Sequence, residues 1–227
     1  MNKNQELFEK APVSKAVAVM AIPTMISMLV VVIYNMADTF FIGQTNDPMK
    51  VAAVSLATPI FMVFMALGNL FGIGGSSAIS RALGEHKPEK HISAFCCYGS
   101  LGVGIFMAVV SILGMELILK LIGASENTID YARDYLFFIA LGAPFIMFGT
   151  AFGNILRGEG ASRESMIGNL IGTIVNIVLD PIMILVLGWG VVGAAVATVI
   201  GNMAASLFYL GYFLRKRSSL SINIRDF

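Results

Sequence analysis

The segment SMIGNLIGTIVNIVLDPIMILVL, residues 165–187, decides the fold class of this chain. It is long enough to cross a bilayer, because a membrane helix takes about 20 mostly apolar residues. It nevertheless carries one aspartate, directly before Pro181. An α-helix advances about 100° per residue, so four polar residues share one of its faces: Asn169, Thr173, Asn176 and Asp180. The segment therefore predicts a membrane helix with a polar stripe.

Five further stretches are long and apolar enough to be membrane helices: 15–41, 51–80, 92–119, 131–156 and 191–214. The chain has 227 residues, of which 57% are hydrophobic and 13% charged, and its net charge is +1. Soluble domains are about 25% charged, so this composition excludes an ordinary soluble enzyme, a disordered protein and a nucleic-acid-binding protein. The predicted fold class is an all-α membrane protein, a bundle of six transmembrane helices over 15–214.

The Lys and Arg residues predict the orientation of the bundle in the membrane. With six spans, twelve of the 15 Lys and Arg residues lie on the side that holds both termini. The other side holds only Lys50, Lys120 and Arg133. Cytoplasmic loops carry the excess of positive charge, so both termini are expected in the cytoplasm, with the bundle in the plasma (inner) membrane. Residues 1–14 then form a cytoplasmic tail.

Two carboxylates, Asp38 and Asp180, lie inside predicted spans. A charge at mid-membrane costs at least about 2.5–3.5 kcal/mol, and such residues usually face a cavity and bind something. Structural alternatives exist: Asp38 lies near a helix end, and Asp180 helps to satisfy the backbone freed by Pro181. Both residues fall in the outer half of the membrane, so we expect them to share one cavity.

The first and sixth spans add polar residues at helical spacing. Tyr34 precedes Asp38 by one turn, and Thr198 precedes Asn202 by four residues. A structural alternative to a binding role for these residues is interhelical hydrogen bonding, which contributes about 0.6 kcal/mol per contact. Such bonding needs no ionisable acid. Pro23 and Pro181 each remove a backbone donor and are the predicted hinges.

Five motifs in order then carry a family resemblance: DTFFIG (38–43), SRALGE (80–85), NILRGEG (154–160), NIVLDPIMI (176–184) and GVVGAAVAT (190–198). Together they resemble the amino-terminal half of a multidrug and toxic compound extrusion (MATE) transporter. The resemblance implies one lobe of a twelve-helix antiporter that exports cationic or amphiphilic drugs in exchange for Na⁺ or H⁺. It implies no other cofactor, and a partner that is either the missing six-helix lobe or a second copy. Residues 215–227 are then a cytoplasmic tail or the start of the linker between lobes, and the chain is a fragment.

The resemblance also implies a cation site, by motif match, at four residues: Asp38, Asn176, Asp180 and Thr198. It adds Asn154 to the same hydrogen-bonded network. The neighbouring polar residues, which come from the helix patterns, are supporting members: Tyr34, Asn169, Thr173 and Asn202. Protonation of a carboxylate, or coordination of Na⁺ by side-chain oxygens, removes negative charge from the cavity. That change is expected to relax the first span about Pro23.

Three other interpretations remain at this stage. A lipid-linked oligosaccharide flippase of the same superfamily is disfavoured because no Lys or Arg lies inside a predicted span. An intramembrane aspartyl protease needs two membrane aspartates, but its YD and GxGD patterns do not match residues 36–38 or 179–181. A structural half-transporter that inserts and moves nothing is the third.

Overall fold

The computed structural model describes residues 12–85 and 90–214, and these two ranges are helical with no strand. The helices are α1 (Val13–Gly43), α2 (Pro48–Gly84), α3 (Lys90–Leu113), α4 (Met115–Leu121), α5 (Ile129–Gly158), α6 (Ser162–Pro181) and α7 (Val191–Leu214). A π-helical turn, Ile182–Val186, continues α6. All except α4 give spans long and apolar enough to cross a membrane. The prediction of a six-span, all-α membrane protein is confirmed.

The expectations for the two tails lie mostly outside the described residues. This applies to residues 1–11 of the predicted cytoplasmic tail and to 215–227, the predicted tail or linker. The last part of the predicted 1–14 tail is described, and it differs from the prediction because α1 already begins at Val13.

Local sequence signals explain where α2 and α7 begin. The Asp47 carboxylate accepts a hydrogen bond from the Met49 N–H at 3.0 Å, and Pro48 occupies the first helical turn. Such a cap satisfies a backbone donor at the helix start, so α2 begins three residues before the predicted 51. Gly188 and Gly190 have φ of +70° and +52°, values that favour glycine, and they turn the chain between α6 and α7.

The prediction of one uninterrupted third span over 92–119 was wrong at its carboxyl-terminal end. The helix α3 stops at Leu113, and the short α4 begins at Met115 after Gly114. Glycine is a poor helix former by about 1 kcal/mol, which makes Gly114 a natural break. The other spans differ from their predicted limits by three residues or fewer, except for the carboxyl-terminal end of α2, which extends to Gly84.

The most buried span is α5, which packs against α2, α3, α6 and α7. Glycines allow this close packing: a Cβ at Gly68 or Gly72 would lie 3.0 Å or less from atoms of α5. By contrast, α1 packs mainly on α6 and leaves most of its apolar side chains exposed. The space enclosed by α1, α2, α5, α6 and α7 is where the predicted polar residues lie.

Candidate cation site

A cavity of about 480 Å³ lies among α1, α2, α5, α6 and α7. Seven of the nine predicted binding and supporting residues line it: Tyr34, Asp38, Asn169, Thr173, Asn176, Thr198 and Asn202. The exposed members of the lining include Asn35, Thr39, Ser55 and Met62, all on α1 or α2. The mouth of the cavity therefore opens to the side, between these two helices.

Hydrogen bonds join three helices at one end of this cavity. The Tyr34 hydroxyl on α1 lies 3.3 Å from the Thr198 hydroxyl on α7. The Asn176 amide on α6 donates to Thr198 Oγ1 at 3.5 Å and to Asp180 Oδ1 at 3.3 Å. These distances exceed the usual 2.9–3.0 Å, so the contacts are loose. We call this group, with Asp38, the outer polar cluster, after the side of the membrane on which the predicted orientation would place it: Tyr34, Asp38, Asn176, Asp180 and Thr198.

The two aspartates are both buried, as the sequence predicted from their place in apolar helices. Asp180 has no exposed surface and lies behind the cavity wall, while Asp38 is 9% exposed and lines the cavity directly. The Asn176 amide, which donates to Asp180 Oδ1, lines the same cavity as Asp38. Neither carboxylate has a salt-bridge partner within the described ranges 12–85 and 90–214.

Three buried oxygens of the outer polar cluster have no hydrogen-bond donor: Asp38 Oδ1, Asn176 Oδ1 and Asp180 Oδ2. A buried acceptor left unpaired costs about 1–3 kcal/mol, and more when it is charged. Carboxylate, amide and hydroxyl oxygens are the donor types that hard cations prefer. The cluster thus has the chemistry to hold Na⁺, or to bind a proton on either carboxylate. In the described part of the chain, no group of three or more His, Cys, Asp or Glu side chains forms a metal site.

The structure does not bring Asn154 into this cluster. Its amide donates to Asn69 Oδ1 and to the Thr150 carbonyl, both at 2.9 Å, and its own Oδ1 accepts from Arg157 at 2.6 Å. These partners lie toward the opposite end of the bundle, where α6 begins. The hydrogen bonds of the Asn154 side chain thus go to these neighbours and to no residue of the outer polar cluster, and its predicted part in the cation site stays a prediction.

Asn169 connects the cavity to that second group. The Tyr209 hydroxyl lies 3.0 Å from the Ser165 carbonyl oxygen and 3.1 Å from Asn169 Oδ1. Ser165 Oγ in turn donates to the Gly153 carbonyl at 2.7 Å and lies 3.3 Å from an Arg157 nitrogen. We call these side chains the inner polar layer: Asn69, Asn154, Arg157, Ser165 and Tyr209.

Sequence reasoning missed a buried aromatic residue of the cavity wall, Tyr135 on α5. Its side chain is 6% exposed and lines the cavity together with Asp38 and Tyr34. In the sequence it stands within DYLFFIAL (134–141), where an aromatic residue is typical of apolar packing. Its approach to the cluster depends on how α5 is rotated, which the sequence pattern does not reveal.

Along the chain, Pro23 precedes the first residue of the outer polar cluster, and Pro181 directly follows Asp180. Pro23 is inside α1, about four turns before Asp38, and the helix continues through it. Pro181 ends α6 and is followed directly by the π-helical turn. Single π-helical turns occur frequently at functional sites. The hinge roles themselves stay predictions.

The family model described as MatE matches residues 23–182. The chain belongs to the MATE family. The match includes both aspartates and both predicted hinges, and it stops before α7.

Individual relatives agree with this assignment. The multidrug export protein MepA of Staphylococcus aureus is 38% identical over 98% of this MATE chain. An outward-facing multidrug resistance MATE transporter of the MOP superfamily matches the whole chain with a TM-score of 0.93 and 35% identity. A MOP superfamily transporter from Pyrococcus furiosus, for which a reverse polarity of the binding pocket suggests a different function, matches with a TM-score of 0.92 and 35% identity. The chain spans about half the length of each of them (50%, 51% and 50%).

Proposed function

We propose that this chain is the cation-coupling lobe of a multidrug efflux antiporter. In this proposal the whole protein exports cationic or amphiphilic drugs in exchange for Na⁺ or H⁺. The observation that carries the proposal is the set of three buried oxygens without donors at Asp38, Asn176 and Asp180. Unpaired polar groups are unfavourable in a membrane interior. A cation that binds to these oxygens would explain why the lobe contains them.

Both coupling ions fit the arrangement. Na⁺ would be held by the unpaired oxygens together with the hydroxyl of Thr198. A proton on one aspartate would instead turn an unpaired acceptor into a donor for a neighbouring oxygen. Either event removes negative charge from a buried pair of acids. It therefore favours the conformation in which the two carboxylates lie closest together. We propose that α1 responds by changing its bend at Pro23.

The cavity polarity favours cationic substrates. Its lining contains the carboxylate of Asp38 and, among the described residues, no Lys or Arg. Apolar side chains such as Phe61, Met62 and Met65 form another part of the wall, and flexible methionines suit varied ligands. A flippase for pyrophosphate-linked lipids would need positive charge here, so the polarity gives that alternative no support. The relatives are export proteins and transporters, which likewise gives no support to an aspartyl protease.

The lateral mouth between α1 and α2 suggests where the rest of the transporter lies. We propose that a second six-helix lobe, or a second copy of this chain, faces this mouth and completes the substrate path. In the same proposal the protein resides in the plasma (inner) membrane with the ends of α1 and α7 nearest the termini in the cytoplasm.

The proposal is tested by drug efflux from cells that express the whole protein containing this lobe. Asp38→Asn and Asp180→Asn are each expected to lower ethidium efflux by at least about tenfold, which corresponds to about 1.4 kcal/mol. Asp134→Asn is the matched control, because Asp134 is an exposed acid of α5 near the same membrane surface as Asp38 and Asp180. Imposing a Na⁺ gradient or a pH gradient separately in vesicles identifies the coupling ion. Efflux at the unsubstituted rate in both Asp38→Asn and Asp180→Asn would overturn the proposal.

Expression of this chain alone tests the alternative that it is a structural half-transporter, which inserts into the membrane and moves nothing. A chain that inserts but gives no efflux until the second lobe is supplied supports a lobe that acts in partnership. No efflux even with the second lobe present would favour a purely structural role.

A further inference from the structure

The inner end of the cavity is closed by side chains that the cation site does not use. The cavity-lining residues nearest that end are Thr150 on α5 and Asn169 on α6. One turn farther along, toward the start of α6, none of the inner polar layer lines the cavity. Asn154 of the layer donates to the Thr150 carbonyl and Tyr209 donates to Asn169 Oδ1, so the layer lies directly behind these two lining residues and forms the floor of the cavity together with them.

Tyr209 is the largest buried side chain of this floor. Its side chain has no exposed surface, and its ring packs directly on Gly168, leaving no room there for a Cβ. Its hydroxyl lies within hydrogen-bond distance of both Ser165 and Asn169. The ring, which α7 carries, is thus fixed against α6, and any movement must break its contacts with that helix.

Arg157 gives this floor an uncompensated positive charge. Its guanidinium is half-buried, and its hydrogen bonds run to two neutral acceptors, Asn154 Oδ1 at 2.6 Å and Ser165 Oγ at 3.3 Å. In the ranges 12–85 and 90–214 it makes no salt bridge. An arginine placed across a narrow polar passage repels cations, as it does in selective membrane pores.

We propose that the inner polar layer seals the cavity, with Tyr209 blocking the passage and the charge of Arg157 repelling cations that approach it. Cations in the cavity then leave only by the lateral mouth between α1 and α2. The purpose of such a seal rests on the proposed cation function, because an ion that leaked through the floor would uncouple transport. The seal itself is a property that can be measured without transport.

The test measures how fast a cysteine in the cavity reacts from each side of the membrane. Thr173→Cys places a thiol on the cavity wall one turn beyond Asn169, and Cys96→Ala with Cys97→Ala removes the native thiols. The whole protein containing this lobe is placed in right-side-out and inside-out vesicles. Two methanethiosulfonate reagents are compared, one carrying a trimethylammonium group and one carrying a sulfonate.

With Arg157 intact, we expect slow reaction of the cationic reagent from the side nearest the start of α6. Arg157→Gln should speed that reaction by about tenfold, the factor that about 1.4 kcal/mol of barrier height produces. The same substitution should speed the reaction of the anionic reagent by a smaller factor. Arg157→Lys keeps the charge and should preserve the protection, whereas Arg163→Gln, an exposed arginine at the same end of α6, is the matched control and should change nothing.

A second variant keeps the test decisive if Arg157→Gln is poorly produced. Tyr209→Phe keeps the ring and removes the hydroxyl, so it should raise labelling by both reagents to the same extent. If the cysteine at position 173 were labelled equally slowly in all variants, the proposed seal would be overturned. If Arg157→Gln and Arg157→Lys lost this protection equally, the proposed role of the Arg157 charge would be overturned. Because the readout is labelling, these failures are distinct from a failure of the aspartate variants in the efflux assay.

Discussion

The outer polar cluster and the inner polar layer use similar side chains on overlapping sets of helices, yet their hydrogen bonding differs. Contacts in the outer cluster measure 3.3–3.5 Å, and three of its buried oxygens have no donor. Contacts in the inner layer measure 2.6–3.3 Å, and none of its five residues is among those with a buried unpaired side-chain atom. One region is therefore under-coordinated, and the other is saturated.

This difference separates binding from scaffolding within one lobe. A saturated network gains nothing from a ligand and rigidifies the helices that it joins, whereas unpaired acceptors gain when a cation or proton arrives. The position of the charges follows the same division. The acids lie in the under-coordinated cluster, and the arginine lies in the saturated layer. Substitutions in the inner layer should therefore act on stability, and substitutions in the outer cluster should act on ion dependence.

The largest effect is expected where the inner layer has no spare volume. Gly168→Ala adds a methyl group that overlaps the buried Tyr209 ring, and overpacking of this kind costs about 1–3 kcal/mol or more. We expect a clear fall in the thermal unfolding midpoint of detergent-solubilised protein. Gly211→Ala on α7 is the control, because a Cβ there meets nothing within 4 Å. Equal midpoints for the two variants would show that the layer is loosely packed.

Asn154→Ala should come next in size. It deprives the Arg157 guanidinium of its closest acceptor and Asn69 of its donor, and leaving such groups unpaired costs about 1–3 kcal/mol. We expect reduced thermal stability but an unchanged ion concentration for half-maximal efflux. If the variant instead altered ion dependence at normal stability, Asn154 would belong functionally to the outer cluster, as the family resemblance implied.

These two regions were not equally predictable from the sequence. Six spans, their order and the two intramembrane acids follow from composition and helical spacing, because the cost of burying polar groups in lipid leaves few alternatives. The side-by-side placement of Asn176, Asp180 and Thr198 was also anticipated, since each lies on a polar face that must turn inward.

The partners of Asn154 and the position of Tyr135 were not predictable from pattern alone. Both residues lie on α5, which is buried on nearly all sides, so its sequence shows no single polar face. Which neighbour each side chain meets then depends on the rotation of α5 against four other helices. Arg157 and Tyr209 gave no signal either, because one resembled a loop charge and the other an aromatic core residue.

Asn176→Ala tests the outer cluster without changing its formal charge. Loss of the unpaired amide oxygen removes one candidate Na⁺ ligand, and loss of the amide group removes a donor to Asp180. We expect the Na⁺ concentration for half-maximal efflux to rise by about tenfold, or about 1.4 kcal/mol. Asn202→Ala is the control, because Asn202 lines the same cavity but donates to a backbone carbonyl of its own helix. A shift of the same size in both variants would mean that cavity polarity, and not ligation, sets the affinity.

The smallest effect is expected for Tyr34→Phe, which removes only the long contact between Tyr34 and Thr198. A neutral hydrogen bond contributes about 0.5–1.5 kcal/mol, and a 3.3 Å contact belongs at the lower end of that range. We expect ion affinity to fall by a factor of about two to three. A double-mutant cycle with Thr198→Val isolates the pair, because the coupling should vanish once either hydroxyl is gone. A coupling much larger than about 1 kcal/mol would show that bound cation tightens this contact, and that the outer cluster closes around its ion.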